Sequence, residues 1–268
     1  MHFDQLLDQA AALVQHDNKK TTMQFPANWC QGRTAFGGLS AALLYHAIVQ
    51  QIEPSRRLLS LSTNFVGPLL AEQDFSISVE ILREGKNSSQ VLAKIQQDKQ
   101  TCVIAIACFG AQRDSIIDVP VTKSMTLPPV TTEHILPYIE GIMPAFFQHV
   151  SLCPLQGGMP FTGADTSHLG GWMRFKQPPA QLTAAHVIAL TDAWPPTLLQ
   201  MYQQPAPASS MSWYLEFVTE PRLAANEWLG FEAITHHSKD GYGLEDGCIW
   251  SSDGKLIALT RQTVALFA

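Results

Sequence analysis

The sequence predicts an α+β fold made of two copies of one unit, each a long buried helix wrapped by an antiparallel sheet, with the two sheets joined into one. The stretch from Gly37 to Ile52 is almost wholly apolar, with hardly a polar face until Gln50 and Gln51, so it needs protein on all sides rather than along one stripe. Four strand-like runs separated by turn chemistry follow it. The same succession, a helix and then four strands, returns in the second half of the chain.

Phe3, Leu6, Leu7, Ala10, Leu13 and Val14 fall at helical spacing and predict a short amphipathic opening helix, with a short strand expected over 22–25. Gly37 and Gly38 then open the apolar helix. Two glycines there let another backbone or a ligand approach closely, and free amides at a helix start attract oxygen atoms. Strands are expected over 58–66, 75–82, 90–96 and 101–109, divided by Gly67-Pro68, by the polar run from Arg83 to Ser89 and by Gln97-Asp98-Lys99-Gln100.

In the second half, helical periodicity resumes at Leu182 and runs through Asp192 toward Tyr202. Pro195 and Pro196 cannot donate to the carbonyls of Thr191 and Asp192, so the helix should kink or break there. Strands are expected over 210–218, 228–235, 243–250 and 256–267. Matching positions keep an offset of 152 to 155 residues, as in Phe65 with Phe217, Lys86 with Lys239 and Asp98 with Asp253, which argues for an internal duplication. Between the halves, Pro120, Pro128, Pro129, Pro137, Pro144 and Pro154 mark a long linker with a short helix or two expected around 132–149. The expected division is 1–111 for the first repeat, 112–165 for the linker and 166–268 for the second repeat. One repeat alone would leave helix and sheet edges bare, so pairing the repeats into a continuous sheet is the economical arrangement.

Composition excludes several classes. A hydrophobic content of 46% in 268 residues suits a compact protein with a large core. The net charge of -6, with no basic block, offers nucleic acid no phosphate-neutralising stripe. The longest apolar runs fall short of the roughly 20 residues a bilayer requires, and the N-terminus lacks the pattern of an export signal, so neither a membrane span nor secretion is expected. Five cysteines, an odd number without a CxxC pair, fit reduced core thiols and a cytoplasmic location better than disulfides or zinc.

With Gly-Arg-Thr-Ala-Phe-Gly-Gly at 32–38, the chain resembles the double hotdog acyl-CoA thioesterases of the bacterial acyl-CoA thioesterase II type. In the first half the resemblance rests on Phe36-Gly37-Gly38, on the run Leu82 to Ser88 before a strand, and on Cys108-Phe109-Gly110-Ala111. In the second it rests on Leu190-Thr191-Asp192, Asn226 to Leu229, Ser252-Asp253-Gly254 and Thr260 to Val264, and it spans nearly the whole chain. The resemblance implies hydrolysis of a thioester between a fatty-acyl group and coenzyme A. It implies that Asp192 is the base or polarising carboxylate, and that Ser210 and Gln262 position the water and help stabilise charge on the carbonyl oxygen. Gly38 and Asp192 stand 154 residues apart, at equivalent places in the two repeats, so Phe36, Gly37 and Gly38 read as the half of the site that accommodates the thioester. Lys86, in a hairpin near Arg83, is a candidate for the coenzyme A phosphates. No metal or redox cofactor is called for, and further assembly into a homo-oligomer stays open.

Each residue also has a plainer reading. Asp192 sits among apolar neighbours, where a carboxylate is costly to bury unless paired or used, yet it could simply cap a neighbouring element. Alternation places Gln262 with Leu256, Ala258, Thr260, Val264 and Leu266 on the face expected to turn inward, where a structural amide bonded to backbone is the alternative. Alternation puts Ser210, Ser212 and Tyr214 on one face and Met211, Trp213, Leu215 and Phe217 on the other, so parity leaves open which face meets Asp192, and Ser209 takes the position of Ser210 if the strand starts one residue earlier or bulges. Phe146, Phe147, Trp194 and Met201 are guesses for tunnel walls. His46, His186 and the pair His236-His237 read as satisfied or exposed residues. Two other functions remain in view, a non-catalytic acyl or acyl-CoA binding module and a dehydratase of 3-hydroxyacyl thioesters. The dehydratase needs a His paired with an acid at the start of a buried helix, and none is expected there.

Overall fold

The computed structural model describes residues 1–15 and 21–267. Its elements run α1 (Phe3–Leu13), β1 (Met23–Gln24), β2 (Cys30–Gln31), β3 (Thr34–Ala35), α2 (Gly37–Val49), β4 (Arg56–Phe65), β5 (Asp74–Glu84), β6 (Ser88–Gln97) and β7 (Gln100–Ala111), then β8 (Val150–Gln156), β9 (Leu169–Phe175), α3 (Ala184–Thr191), β10 (Ala208–Phe217), β11 (Leu229–Lys239), β12 (Tyr242–Trp250) and β13 (Leu256–Leu266). Among the described residues, eleven strands form one sheet in the order β1-β5-β6-β7-β4-β10-β13-β12-β11-β9-β8, and β2 pairs with β3 in a small hairpin. The halves meet where β4 runs antiparallel to β10, with Thr63 opposite Trp213.

Helix α2 behaves as its composition requires. Leu39, Leu43, Leu44 and Ile48 are fully buried, each contributing about 1.5–3 kcal/mol of apolar burial. It is flanked by α1, by α3 and by strands of its own half. Its N-cap, Phe36, carries no side-chain acceptor, so the first amides of the helix must find oxygen elsewhere. Helix α3 is likewise buried along its length, and its first turn is closed by a capping box between Thr183 and His186.

The helical run expected from Leu182 toward Tyr202 breaks as Pro195 and Pro196 demand, with α3 ending at Thr191 and the chain resuming as a 3-10 turn over Thr197–Met201. The short helix or two expected over 132–149 are two 3-10 turns, Thr132–His134 and Ala145–Gln148. One expectation is corrected. The proline-rich stretch also holds a strand, β8, which with β9 extends the sheet beyond the four strands expected of the second half. Pro154 is tolerated because β8 is an edge strand. No helix among the described residues is long and apolar enough to cross a membrane.

Candidate active site

The site lies where the N-terminus of α2 abuts the C-terminus of α3. Asp192 is the C-cap of α3, and the Gly38 N–H donates to its carboxylate. The approach is close at both glycines. A Cβ on Gly37 would lie 2.8 Å from Asp192 Oδ2, and one on Gly38 would lie 2.6 Å from the Ala189 carbonyl oxygen and 2.9 Å from Asp192 Cβ. Asp192 thus supplies, from the other half of the chain, the cap that Phe36 cannot give. The residue keeps partial access to a cleft while its carboxyl is enclosed by protein atoms. Burial raises that carboxyl from the usual 3.8 to about 7; the Gly38 N–H works against the rise and the like charge of Glu245 adds to it.

The cleft is narrow, with a cavity volume of about 10 Å³, room for about one water molecule, and is lined by Thr191, Asp192, Trp194, Trp213, Phe231, Glu245, Thr260 and Gln262. Trp194 and Phe231 stack at 5.3 Å as one wall, and Trp213 donates its indole N–H to Thr260 Oγ1 at 2.8 Å. The floor is a transverse row of the sheet, in which neighbouring strands present Thr63, Trp213, Gln262, Glu245 and Thr235 in turn. Ser210 Oγ donates to Gln262 Oε1 at 3.0 Å, and Gln262 Nε2 donates to Glu245 Oε1 at 2.9 Å. The Thr197 N–H holds Glu245 Oε2 at 2.7 Å, and Thr197 Oγ1 meets Thr235 Oγ1 at 2.7 Å. Burial raises the Glu245 carboxyl, against the pull of the Thr197 and Gln262 hydrogen bonds.

A β-bulge decides the face of Ser210. Ser210 pairs with Val264 and Trp213 pairs with Gln262, with the register shifting between Ser210 and Ser212. Ser210 therefore shares the inner face with Trp213 and Leu215 despite the odd spacing. Ser209 is exposed.

The structure brings Asp192, Gln262 and Ser210 together with Gly37 and Gly38. Phe36 is fully buried behind them, its ring stacked on Phe146 at 4.1 Å rather than lining the cleft. Lys86 is not brought there. Its hairpin packs at the Arg56 end of β4, where Arg56 donates to the Gly85 carbonyl at 2.8 Å, whereas Gly37 packs on Phe65 at the other end, roughly 30 Å along the strand. Of the suggested walls, Trp194 lines the cleft, Phe146 belongs to the core and Met201 is exposed.

Sequence reasoning missed Glu245. Its inward neighbours in β12 are Gly243 and Gly247, so no apolar alternation marks its face. The available signal was its position mirroring Gln262 across the Ser252-Asp253-Gly254 turn. The expectation that no His stands early in a buried helix is also corrected, because α3 begins at Ala184 and His186 lies in its first turn. Both ring nitrogens of His186 are engaged, Nδ1 by Thr183 and Nε2 by Asp4 Oδ1 at 2.8 Å, and Phe3 and Phe175 flank the ring, so no nitrogen is left for a substrate.

The family model of the acyl-CoA thioesterase C-terminal domain matches residues 123–266, and that of the N-terminal domain matches residues 25–110. The chain belongs to the acyl-CoA thioesterase family. No curated protein matches it by sequence. Among solved structures, this member of the family is similar to a hot dog fold protein of unknown function from Alicyclobacillus acidocaldarius, with a TM-score of 0.81 and 22% identity over 97% of this chain and 98% of that one. It is also similar to the acyl-CoA thioesterase II TesB2 of Mycobacterium marinum, with a TM-score of 0.69 and 17% identity over 88% of this chain and 90% of that one. At such identities the likeness establishes the hot dog fold. The dehydratase domain of RzxB from Pseudomonas fluorescens shares that fold too, with a TM-score of 0.57 and 11% identity over 92% of this chain and 93% of that one, so the reaction must be argued from the site.

Proposed function

We propose that this acyl-CoA thioesterase family member hydrolyses acyl-CoA thioesters to a free acid and coenzyme A, with Asp192 as general base. Residues 1–111 and 166–268 act as two repeats, joined by 112–165. The first gives the glycine-rich helix start and the second gives the reacting side chains. The observation that carries this reading is a carboxylate held near neutrality, at about 7, in a cleft shared with the Gln262 amide. A base poised near the working pH is part ionised and still strong enough to take a proton from water. Water attacks the thioester carbonyl carbon as Asp192 accepts its proton. The oxygen that becomes negative is met by hydrogen-bond donors in the cleft, and collapse expels the coenzyme A thiolate, which takes up a proton.

Free-thiol release from a panel of acyl-CoA esters tests the reading, on wild type and Asp192→Asn together. Asn keeps an acceptor for the Gly38 N–H, so a residue that only caps α2 tolerates the change. A general base does not, and the expected loss is at least ~100-fold in kcat. Turnover at the wild-type rate in Asp192→Asn refutes the mechanism; acyl-CoA binding without thiol release in the wild type identifies a binding module instead.

A further inference from the structure

The floor of the cleft contains one group that the hydrolysis described above does not use. Glu245 is buried, only 4% exposed, and sits opposite Gln262 in the β12–β13 ladder. A glutamine amide has a donor end and an acceptor end of nearly the same shape, and its role depends on which end faces which partner. Ser210 does not settle the matter, because a hydroxyl can donate or accept. Glu245 does. Its Oε1 contacts Gln262 Nε2 and its Oε2 already accepts from the Thr197 N–H, so in its ionised form, which can only accept, Glu245 turns the amide nitrogen toward itself and the amide oxygen toward Ser210. The Ser210 proton is then committed to Gln262, and one N–H of Gln262 is spent on Glu245. What Gln262 has left for the cleft is a second N–H, a donor, beside the one lone pair of its oxygen that Ser210 does not take.

We infer that Glu245 is a positioning residue that fixes the Gln262 amide, its oxygen on Ser210 and its free N–H presented as a hydrogen-bond donor to the thioester carbonyl oxygen. This rests on the hydrolase reading and deepens it by dividing the labour. Asp192 handles the water, and Gln262 Nε2 polarises the carbonyl and meets the oxyanion. Replacing Glu245 with Gln removes the constraint, since an amide at 245 can keep its oxygen on the Thr197 N–H and turn its own NH2 toward position 262. The Gln262 amide is then free to flip and offer the cleft its oxygen.

The test is a double-mutant cycle over wild type, Glu245→Gln, Gln262→Met and the double variant, measured by thiol release from an acyl-CoA the wild type accepts. Glu245→Gln is expected to lower kcat by ~10-fold or more, with KM within ~2-fold, because the lost interaction belongs to the transition state. In the Gln262→Met background the same change is expected to cost less than ~2-fold. An unchanged kcat in Glu245→Gln overturns the inference, and so does an equal loss in both backgrounds. Side-chain amide resonances of protein labelled with 15N-glutamine supply a readout independent of turnover. The Gln262 pair, assigned by its disappearance in Gln262→Met, must move in Glu245→Gln, and a pair that stays in place also overturns it. If the wild type releases no thiol, the hydrolase reading fails while the resonances still decide the orientation of the amide. Glu245→Asp, shorter by one methylene, takes the same measurements should Glu245→Gln not fold.

Discussion

The two glycines at the start of α2 should separate packing from chemistry when each is replaced by alanine. A Cβ on Gly38 meets the Ala189 carbonyl oxygen at 2.6 Å, Phe36 Cζ at 2.7 Å and Asp192 Cβ at 2.9 Å. Ordinary contact begins near 3.4 Å, so α2 and α3 must part by roughly 0.8 Å, and backbone cannot swing aside as a side chain can. Overpacking of this kind costs about 1–3 kcal/mol, offset in part by the ~0.5–1 kcal/mol that alanine gains over glycine in a helix. A net loss of ~1–2 kcal/mol lowers Tm by about 2–8 °C in a chain of this size. Gly37→Ala meets only side chains, Asp192 Oδ2 at 2.8 Å and the Phe65 ring at 3.0 and 3.1 Å. Its Tm should stay within ~3 °C of the wild type, yet the displaced carboxylate should cost ~10-fold or more in kcat, since errors of an ångström at a reacting group are expensive. Melting followed by circular dichroism and thiol release measure both. The reasoning is refuted if Gly38→Ala melts at or above the wild type, or if Gly37→Ala turns over at the wild-type rate.

The Asp192 carboxyl titrates near 3.8 in the unfolded chain and at about 7 in the folded one, so between those values the folded chain holds an extra proton. The contribution of Asp192 to stability is fullest below about 4, falls as pH rises through this window by on the order of 4 kcal/mol, and is level above about 7, whereas kcat/KM should rise with its midpoint near 7. Asp192→Asn, scanned by thermal melts from pH 5 to 8, should lose most of this slope and melt above the wild type at pH 8; an undiminished slope assigns it to another group. Thr63 is fully buried and its Oγ1 finds no hydrogen-bond partner among the described residues, so the isosteric Thr63→Val should raise stability by roughly 1 kcal/mol, or about 2–4 °C; a lower Tm shows that the hydroxyl is satisfied in solution. His186→Ala breaks the bridge from α3 to Asp4 on α1 and should cost ~1–3 kcal/mol in denaturant unfolding, while kcat per folded molecule holds because Asp192 lies at the other end of α3. A kcat that collapses with His186 moves the chemistry to that end.

Periodicity revealed the parts of this fold in which burial is one-sided or total. The apolar run after Gly37 became α2, and the eight alternating runs that follow the two buried helices became β4 to β7 and β10 to β13 with ends shifted by a few residues. Strands β8 and β9 were hidden because Pro154, Gly170 and Gly171 read as breakers, although an edge position and a close approach to neighbouring backbone excuse all three. In the site, Asp192 and Gln262 stood out because polar groups among apolar neighbours are conspicuous. Glu245 did not, since it lies between glycines and beside Asp246, which points to the opposite face and pairs with Arg261. Lys86 shows the opposite failure. A hairpin lysine looks available to any anionic ligand, and only the register of β4 reveals that it stands at the far end of the sheet.

The bulge in β10 has a bearing on how this strand tolerates changes in length. Removing one residue from a regular strand inverts every side chain on one side of the deletion, which in a half-buried strand turns the core outward. Here Met211 is the surplus residue, exposed and set between Ser210 and Ser212 where the register shifts. Taking it out restores plain alternation, with Trp213 and Ser210 still on the inner face. The chain can therefore lose a residue at this point while the hydroxyl keeps its place beside Gln262. Relatives whose strands differ by one residue here can share the same hydroxyl in space, and an alignment that forces their serines or threonines into a single column will misplace it.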